Sequence, residues 1–203
     1  MQRIAIVDTG MCNVDSMQRA LEECGAKADV TNNPHDLDVA DKIVLPGVGA
    51  FPDAMELLNE SGLAEAIRRN VVDHEVPILG VCLGMQLLTT KSVEVRPTLG
   101  LDLIAGHVER LVPIDRERVP HVGWNEAHQR QDHALFGGIA EATDFYFVHS
   151  FHVVCDERFV VATSPYCGGL VAVIGSDHIM GTQFHPEKSQ AMGLALLHNF
   201  VTM

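Results

Sequence analysis

The stretch PILGVCLGMQLL, residues 77–88, joins a strand pattern to a helix pattern. Residues 77–81 form a short apolar run, as in a strand that is buried on both faces. Residues 83–88 have a helical composition, and a glycine lies two residues away from Cys82 on each side. The stretch therefore predicts a buried strand that turns sharply into a helix, with one thiol at the turn.

Strand and helix patterns alternate through the N-terminal half. RIAIVD (3–8) and KIVLP (42–46) are short β-branched runs, and each leads into a turn that contains glycine. Residues 14–25 lie between them and have apolar side chains at helical spacing, and 53–60 and 62–74 also have helical patterns. This alternation predicts a parallel sheet with helices on both faces.

The second half of the chain has strand patterns with few helices between them. The strand-like segments run from about Leu103 to Gln183 and are LIAGHVERLV, DFYFVHS, FHVVC, FVVATS, LVAVIG and HIMGTQF. They predict an antiparallel extension of the sheet, and residues 188–201 predict a closing helix. We expect a single domain over 1–203, of α/β class, with a three-layer, doubly wound, mostly parallel sheet.

The composition restricts the partners and the compartment. The chain has 14 Lys and Arg against 27 Asp and Glu, a net charge of −13, which disfavours general binding to nucleic acid or to an anionic membrane. The N-terminus lacks the pattern of a signal peptide, and no apolar run reaches membrane-spanning length. The cysteines are odd in number and contain no C-x-x-C pair, which predicts reduced thiols and a cytoplasmic location; they are Cys12, Cys24, Cys82, Cys155 and Cys167.

Cys82 has two possible roles. GVCLG has the form G-x-C-x-G, the thiol counterpart of a nucleophile elbow, in which small residues allow a sharp turn between strand and helix. The helix N-terminus would favour a thiolate there. A buried cysteine is also a common small core residue, so the short pattern alone leaves both roles open.

A thiol nucleophile needs a base, and the base needs an orienting group. GTQFHPEKSQ (181–190) supplies His185 and Glu187 two residues apart, so an extended backbone places both on one face. Glu187 can then hold one ring nitrogen while the other faces Cys82, although an incidental pair on a surface turn is the alternative. The P-C-x-x-C of zinc deaminases and an H-E-x-x-H motif are both absent from the sequence, so we expect neither a metal nor a cofactor.

The oxyanion that thiol attack creates needs backbone donors. The N–H of Leu83, directly after the thiol, is one candidate. The loop PGVGAF (46–51) can supply the second from Val48 or Gly49, because parallel strands bring the loops at their carboxyl ends together. A plain turn between strand and helix remains the alternative for this loop.

Five segments, in this order, carry a resemblance to a known family: PGVGAF, GVCLGMQLL, PHVGWN, YFVHSF and GTQFHPEKSQ. Together they resemble class I glutamine amidotransferases, and within them the glutaminase subunits of imidazole glycerol phosphate synthase. The resemblance runs from Ile4 to about Phe200. PHVGWN and HPEKSQ are the pieces most specific to that subfamily.

The resemblance implies that Cys82 attacks the side-chain amide of L-glutamine, His185 transfers protons and Glu187 orients it. Ammonia would then pass to a partner, a (βα)₈-barrel cyclase that makes imidazole glycerol phosphate and an aminoimidazole carboxamide ribotide. Gln86 lies one helical turn after Cys82 and can share its face. The other implied positions are His149 and Ser150 in the substrate pocket, and His121, Trp124, Asn125 and Lys188 at the partner interface.

The sequence departs from the family in two loops and in TTKSVEVRPTLGLDLI (89–104), which lacks the acidic and Gly-rich run that is common there. The first reads DTGMCN, with Thr9 and Cys12 where an aromatic residue and a glycine are usual, and PYCGGLVAV has Cys167 where glycine is usual. A lone tryptophan such as Trp124 is also often a core residue. Two other functions therefore stay open: the glutaminase of a pyridoxal phosphate or anthranilate synthase, and a catalytically silent module on the same fold.

Overall fold

The computed structural model describes residues 1–11, 14–114 and 116–203, so Cys12 of the DTGMCN loop lies outside the described residues. In these ranges the strands are β1 Arg3–Val7, β2 Lys27–Thr31, β3 Lys42–Gly47, β4 Ile78–Cys82, β5 Thr89–Ser92, β6 Thr98–Leu99, β7 Ile104–Arg110, β8 His121–Gln129, β9 Thr143–His149, β10 Phe151–Cys155, β11 Val160–Ser164, β12 Leu170–Ser176 and β13 Ile179–Thr182. The α-helices are α1 Asp15–Glu23, α2 Phe51–Glu60, α3 Leu63–Arg68, α4 Leu83–Leu87 and α5 Gln190–Thr202.

The main sheet of the described chain has the order β2-β1-β3-β4-β13-β12-β11-β8-β9. In this spatial order, the first five strands, β2, β1, β3, β4 and β13, pair in parallel. The last four strands, β12, β11, β8 and β9, continue the sheet from β13 with antiparallel pairs. This arrangement confirms the predicted α/β class and its antiparallel extension.

Helices cover both faces of the parallel strands. In β1, Ile4 and Ile6 pack with residues of α1 and α5, while Ala5 and Val7 pack with residues of α2 and α3. Successive side chains of a strand point to opposite faces, so this short apolar strand contributes to both cores. The result is the predicted three-layer arrangement, with the sheet in the middle.

Two segments that were expected in the sheet extension lie elsewhere. LIAGHVERLV and FHVVC form β7 and β10, which pair with each other in a second sheet of order β10-β7-β5-β6. In β7, Ile104 and Val108 are buried while several residues between and after them face solvent. This one-sided burial suits a separate layer at the edge of the core, in which β10·β7 and β5·β6 are antiparallel and β5·β7 is parallel. Ser150 alone separates β9 from β10, so the chain leaves the main sheet there.

Three neighbouring parallel strands end at the same edge of the main sheet. Gly47 at the end of β3 pairs with Cys82 at the end of β4, and Thr182 at the end of β13 pairs with Val81. The segments after β3, β4 and β13 therefore meet, as expected at the carboxyl edge of a parallel sheet. Among the described residues, no helix has the length and apolar composition that a membrane span requires.

Candidate active site

Cys82 lies on a strained turn between β4 and α4. Its backbone has φ 56° and ψ −110°, a conformation that side-chain-bearing residues rarely adopt. A Cβ atom on Gly84 would lie 1.7 Å from the Leu45 carbonyl oxygen, and one on Gly80 would lie 2.6 Å from the Gly84 carbonyl oxygen. Both glycines of the G-x-C-x-G pattern are therefore required for the close approach of strand and helix.

His185 follows β13 and is held by hydrogen bonds on several sides. Its Nδ1 lies 2.8 Å from Oε1 of Glu187, and both side chains are more than 90% buried. The backbone N–H of His185 donates to the Tyr146 carbonyl oxygen at 2.9 Å, and its carbonyl oxygen accepts from the Ser189 hydroxyl at 2.6 Å. The short turn Pro186–Lys188 thus presents the two side chains together.

The charge state of His185 is set by its two neighbours. Burial lowers the pKa of His185, but the neighbouring Cys82 and Glu187 outweigh burial and raise the pKa to about 9. Because Nδ1 bonds to Glu187, Nε2 is the nitrogen left for the thiol, and among the described residues this buried Nε2 has no hydrogen-bond partner within bonding distance. At neutral pH His185 is therefore an imidazolium, and it lies beside Cys82.

A cavity of about 310 Å³ opens beside the thiol, within the range of about 300–1,000 Å³ that is typical of small-molecule sites. Its lining contains the positions predicted for the oxyanion site and for the substrate, together with Cys82. The described residues that line it are Val48, Gly49, Cys82, Leu83, Gln86, Glu94, Val148, His149, Ser150 and Phe151.

The loop after β3 packs directly against the elbow. A Cβ atom on Gly47 would lie 3.0 Å from the Cβ of Leu83, and one on Gly49 would lie 2.4 Å from the Cε of Met11. Gly49 also has φ +100°, in the left-handed region that favours glycine. The loop of Val48 therefore lies against Leu83 and lines the same cavity as Cys82.

Gln86 is oriented by two hydrogen bonds from its amide nitrogen. Nε2 donates to the Phe151 carbonyl oxygen at 2.9 Å and to Oε1 of Gln183 at 3.0 Å. Both N–H groups of the side chain are thus used, and Oε1 is left as an acceptor at the cavity. Gln86 is 4% exposed, so it is a buried residue of the cavity lining.

A family model described as glutamine amidotransferase class-I matches residues 5–203. The chain belongs to this family. It is 44% identical to "Imidazole glycerol phosphate synthase subunit HisH 1" of Campylobacter jejuni (strain RM1221), over 98% of this chain and 100% of that protein. It is 45% identical to "Imidazole glycerol phosphate synthase subunit HisH" of Geobacter sulfurreducens, over 100% of both chains.

A third relative with the HisH subunit name, from Moorella thermoacetica, is 46% identical over 98% of this chain and 94% of its own length. Among solved structures, PurLQS from Thermotoga maritima has a TM-score of 0.77 at 18% identity and covers 100% of this chain and 99% of its own. A crystal structure titled glutamine amidotransferase has a TM-score of 0.76 at 18% identity, covering 98% and 97%. At such identities the two structures support the class I glutamine amidotransferase fold alone.

Glu94 is a residue of the cavity that the sequence analysis missed. Among the described residues of the lining it is the one carboxylate, and its Oε2 accepts the Phe51 N–H at the start of α2 at 2.8 Å. Burial raises the pKa of Glu94 more strongly than the Phe51 hydrogen bond lowers it. Glu94 follows β5 in the second sheet, and no spacing pattern in the sequence links it to Cys82.

His149 lines the cavity and forms a buried pair with His121. His149 Nδ1 donates to the Phe151 carbonyl oxygen at 2.8 Å, so its Nε2 must accept from Nδ1 of His121 at 3.0 Å. The His121 ring is stacked between Phe147 and Tyr166, with centroids 4.8 and 3.8 Å away. Burial lowers the pKa of His149 to about 3 and that of His121 to about 4.

The residues expected at the partner interface divide into two groups. Trp124 is 48% exposed, Lys188 is exposed and Asn125 is half-buried. The expected interface position of His121 needs correction. Its side chain is only 3% exposed, and its ring packs inside the protein. The alternation of β8 explains the difference: Trp124 is directed outward, whereas His121 at the start of the strand is directed inward.

The described cysteines, Cys24, Cys82, Cys155 and Cys167, are free thiols. Burial raises the pKa of Cys155 to about 11 and also raises the pKa values of Cys24 and Cys167, with nearby carboxylates adding to the effect. These three thiols stay protonated at neutral pH and are poor nucleophiles. Over 1–11, 14–114 and 116–203, no group of three or more His, Cys, Asp or Glu side chains is arranged to hold a metal ion.

Proposed function

We infer that the chain is the glutaminase subunit of imidazole glycerol phosphate synthase, a single domain over 1–203 that hydrolyses L-glutamine and supplies ammonia for histidine biosynthesis. The observation that carries the chemistry is the buried Cys82, His185 and Glu187 constellation beside a cavity. The assignment to this synthase is supported by identities of 44–46% over nearly the whole chain to HisH subunits.

In the first half of the reaction, the Cys82 thiolate attacks the carbon of the glutamine side-chain amide. A bond forms between Sγ and this carbon, and the amide oxygen becomes an oxyanion. The His185 imidazolium donates its Nε2 proton to the amide nitrogen, the C–N bond breaks and ammonia leaves. The carbonyl re-forms, and the product on the protein is a thioester at Cys82.

In the second half, water attacks the thioester carbon. His185, now neutral, takes a proton from this water, and a second oxyanion forms. When it collapses, the bond between Sγ and carbon breaks and glutamate leaves, which restores the thiolate and the imidazolium. Throughout, Glu187 accepts the Nδ1–H of His185, fixes the orientation of the ring and stabilises its positive charge.

The cavity residues bind the substrate and the oxyanion. The Leu83 N–H and an N–H from Val48 or Gly49 stabilise the oxyanion. The free Oε1 of Gln86 accepts an N–H of glutamine. The Glu94 carboxylate is suited to the α-ammonium group, because it is the one carboxylate among the described residues of the lining.

The partner is a (βα)₈-barrel cyclase that docks on a face of this chain containing Trp124, Asn125 and Lys188. Trp124 lies beside a surface cavity that Ser189 and Met192 also line, which makes it a suitable aromatic anchor. The phosphates of the acceptor nucleotide bind to the cyclase, in agreement with the net charge of −13 of this chain. We place the complex in the cytoplasm, bound to neither nucleic acid nor membrane.

The test is reconstitution with a candidate cyclase. We expect formation of imidazole glycerol phosphate from glutamine with both proteins present, and from added ammonia with the cyclase alone. A matched Cys82→Ala subunit should bind the cyclase but support only the ammonia reaction. Support of a pyridoxal phosphate or anthranilate synthase in place of this cyclase would contradict the assignment, and absence of glutamine turnover with every partner would indicate a silent module.

The loop at Val48 is the expected control element of the glutaminase. One oxyanion donor typically changes the rate by roughly 100- to 1,000-fold, so we expect the isolated chain to be slow and stimulation of about this size by the loaded cyclase. Gly49→Ala should reduce the stimulated rate far more than the basal rate, since φ +100° disfavours a side chain there. Full activity of the isolated chain, unchanged by partner or ligand, would contradict this control.

A further inference from the structure

Gln183 is a buried polar side chain that the chemistry above does not use. It is 0% exposed and lies between Gln86 and Cys82. Its Oε1 accepts the Gln86 amide at 3.0 Å, and its Nε2 donates to the Cys82 sulfur at 3.8 Å. Burying an amide costs free energy unless its groups are hydrogen-bonded, and here both ends of the amide contact groups of the active site.

The direction of these contacts follows from a backbone carbonyl. The Phe151 oxygen can only accept, so Gln86 must present its NH₂ group to it. The second N–H of Gln86 then meets Oε1 of Gln183, which turns the Gln183 NH₂ group toward Cys82. The backbone N–H of Gln183 donates to the Ala172 carbonyl oxygen at 2.8 Å and fixes the residue in place.

The sulfur has one neighbour that opposes ionisation and two that favour it. The protonated thiol donates to the Val148 carbonyl oxygen at 3.8 Å, and this oxygen disfavours a negative charge on the sulfur. The Gln183 N–H and the His185 imidazolium are donors, and a donor stabilises the thiolate. When the thiol loses its proton, the Gln183 contact becomes stronger while the Val148 contact becomes unfavourable.

We propose that Gln183 is a positioning residue of the glutaminase site, which stabilises the negative charge on the Cys82 sulfur with its amide N–H and holds Gln86 in its substrate-binding orientation with its carbonyl oxygen. The second role rests on the proposed function of the protein. The first role does not, because it concerns the thiol alone.

The first test measures the thiol without any substrate. The rate of Cys82 alkylation by iodoacetamide is followed as a function of pH by mass spectrometry, in the unmodified chain and in Gln183→Met, which has a similar length and no polar atoms. We expect alkylation about tenfold slower near neutral pH and a rate curve moved to higher pH, the size of one hydrogen bond to a charged group. A curve that coincides with that of the unmodified chain overturns the role at the sulfur.

A matched control is Gln18→Met, which removes an amide donor to the Ala28 carbonyl oxygen on β2, the edge strand of the main sheet. Its alkylation curve should coincide with that of the unmodified chain. The melting temperatures of both variants show whether they fold. If Gln183→Met does not fold, Gln183→Leu is used in its place. An alkylation curve that moves equally in the Gln18 control would mean that general loosening, not Gln183, acts on the thiol, and would overturn the proposal.

The second test uses glutamine turnover in the complex with the cyclase. Gln183→Met should raise KM, because Gln86 loses a partner, and should lower kcat, because the thiolate is less stable. Gln86→Met should raise KM while leaving the alkylation curve of Cys82 closer to that of the unmodified chain. An unchanged KM in Gln183→Met overturns the substrate role. If the unmodified protein has no glutaminase activity, the proposed function fails, but the alkylation result still decides the role at the sulfur.

Discussion

His185 and His149 are both buried, both lie close to Cys82, and have opposite charge states. The pKa of His185 is raised to about 9, whereas that of His149 is lowered to about 3. Burial lowers the pKa of each ring. The difference lies in the hydrogen-bond partners: His185 contacts a carboxylate and a thiol, while His149 contacts the Phe151 carbonyl oxygen and the neutral ring of His121.

The comparison shows that burial alone does not decide the state of a histidine in this protein. The buried carboxylate of Glu187 keeps a proton on the His185 ring. His149 has no carboxylate among its hydrogen-bond partners, and burial outweighs the Phe151 carbonyl oxygen and leaves this ring uncharged. Only the protonated ring can donate to a leaving ammonia at neutral pH. His149 is therefore suited to shape the cavity, and His185 to move the proton.

The largest effect should follow removal of the protonated ring. His185→Ala should reduce glutamine hydrolysis by at least about 10⁵-fold, because neither half of the reaction then has a proton donor or acceptor. His149→Gln keeps an uncharged polar group at the cavity and should lose much less activity. Both rates are measured with the cyclase present, and equal losses in the two variants would contradict the division of roles.

A smaller effect should follow from making the surroundings of His185 resemble those of His149. Glu187→Gln keeps an acceptor for Nδ1 but removes the charge, so we expect a loss of roughly 10²- to 10⁴-fold, milder than that of His185→Ala. The high-pH limit of activity should also move to lower pH, since the carboxylate is one of the groups that raise the pKa of His185. Total loss in both variants, with no difference between them, would show that Glu187 has another task.

The pH profile of the unmodified complex should reflect His185. Its pKa is raised to about 9, so the imidazolium persists up to that pH and is lost above it. We expect kcat/KM for glutamine to fall about tenfold per pH unit above about pH 9. His149→Gln should not change the pH at which kcat/KM begins to fall. If kcat/KM began to fall near pH 6.5, the ordinary pKa of histidine, this would contradict the effect of Cys82 and Glu187 on the pKa of His185.

The smallest effect concerns stability in acid. The pKa of His149 is about 3 in the folded protein and has an ordinary value of 6.5, so between these pH values the unfolded chain binds a proton that the folded chain does not. The free energy of unfolding should therefore fall as pH drops below 6.5, by roughly 1.5 kcal/mol for His149 at pH 5. Urea denaturation at pH 6.5 and at pH 5 measures this fall in the free energy of unfolding. The fall should be smaller in His149→Gln. An identical fall in the variant would mean that His149 is protonated in the folded state.

The sequence predicted those parts of the site that depend on local geometry. Gly80 and Gly84 around Cys82 specify a turn that few other residues permit, and the contacts of their missing side chains explain why. His185 and Glu187 are two residues apart, which is enough to place them side by side in an extended segment. Spacing could not predict Glu94, because it reaches the cavity from the second sheet through long-range packing.

By itself, then, the sequence determined the alternation of strands and helices, the elbow at Cys82 and the pair of His185 and Glu187, because periodicity and steric limits act within a few residues. Only the tertiary structure decided that β7 and β10 leave the main sheet, that His121 is buried, and that Gln183 faces the thiol. The same holds for the opposite charges of His185 and His149. A protonation state depends on the surrounding solvent and on partners from distant parts of the chain, and these exist only once the chain has folded.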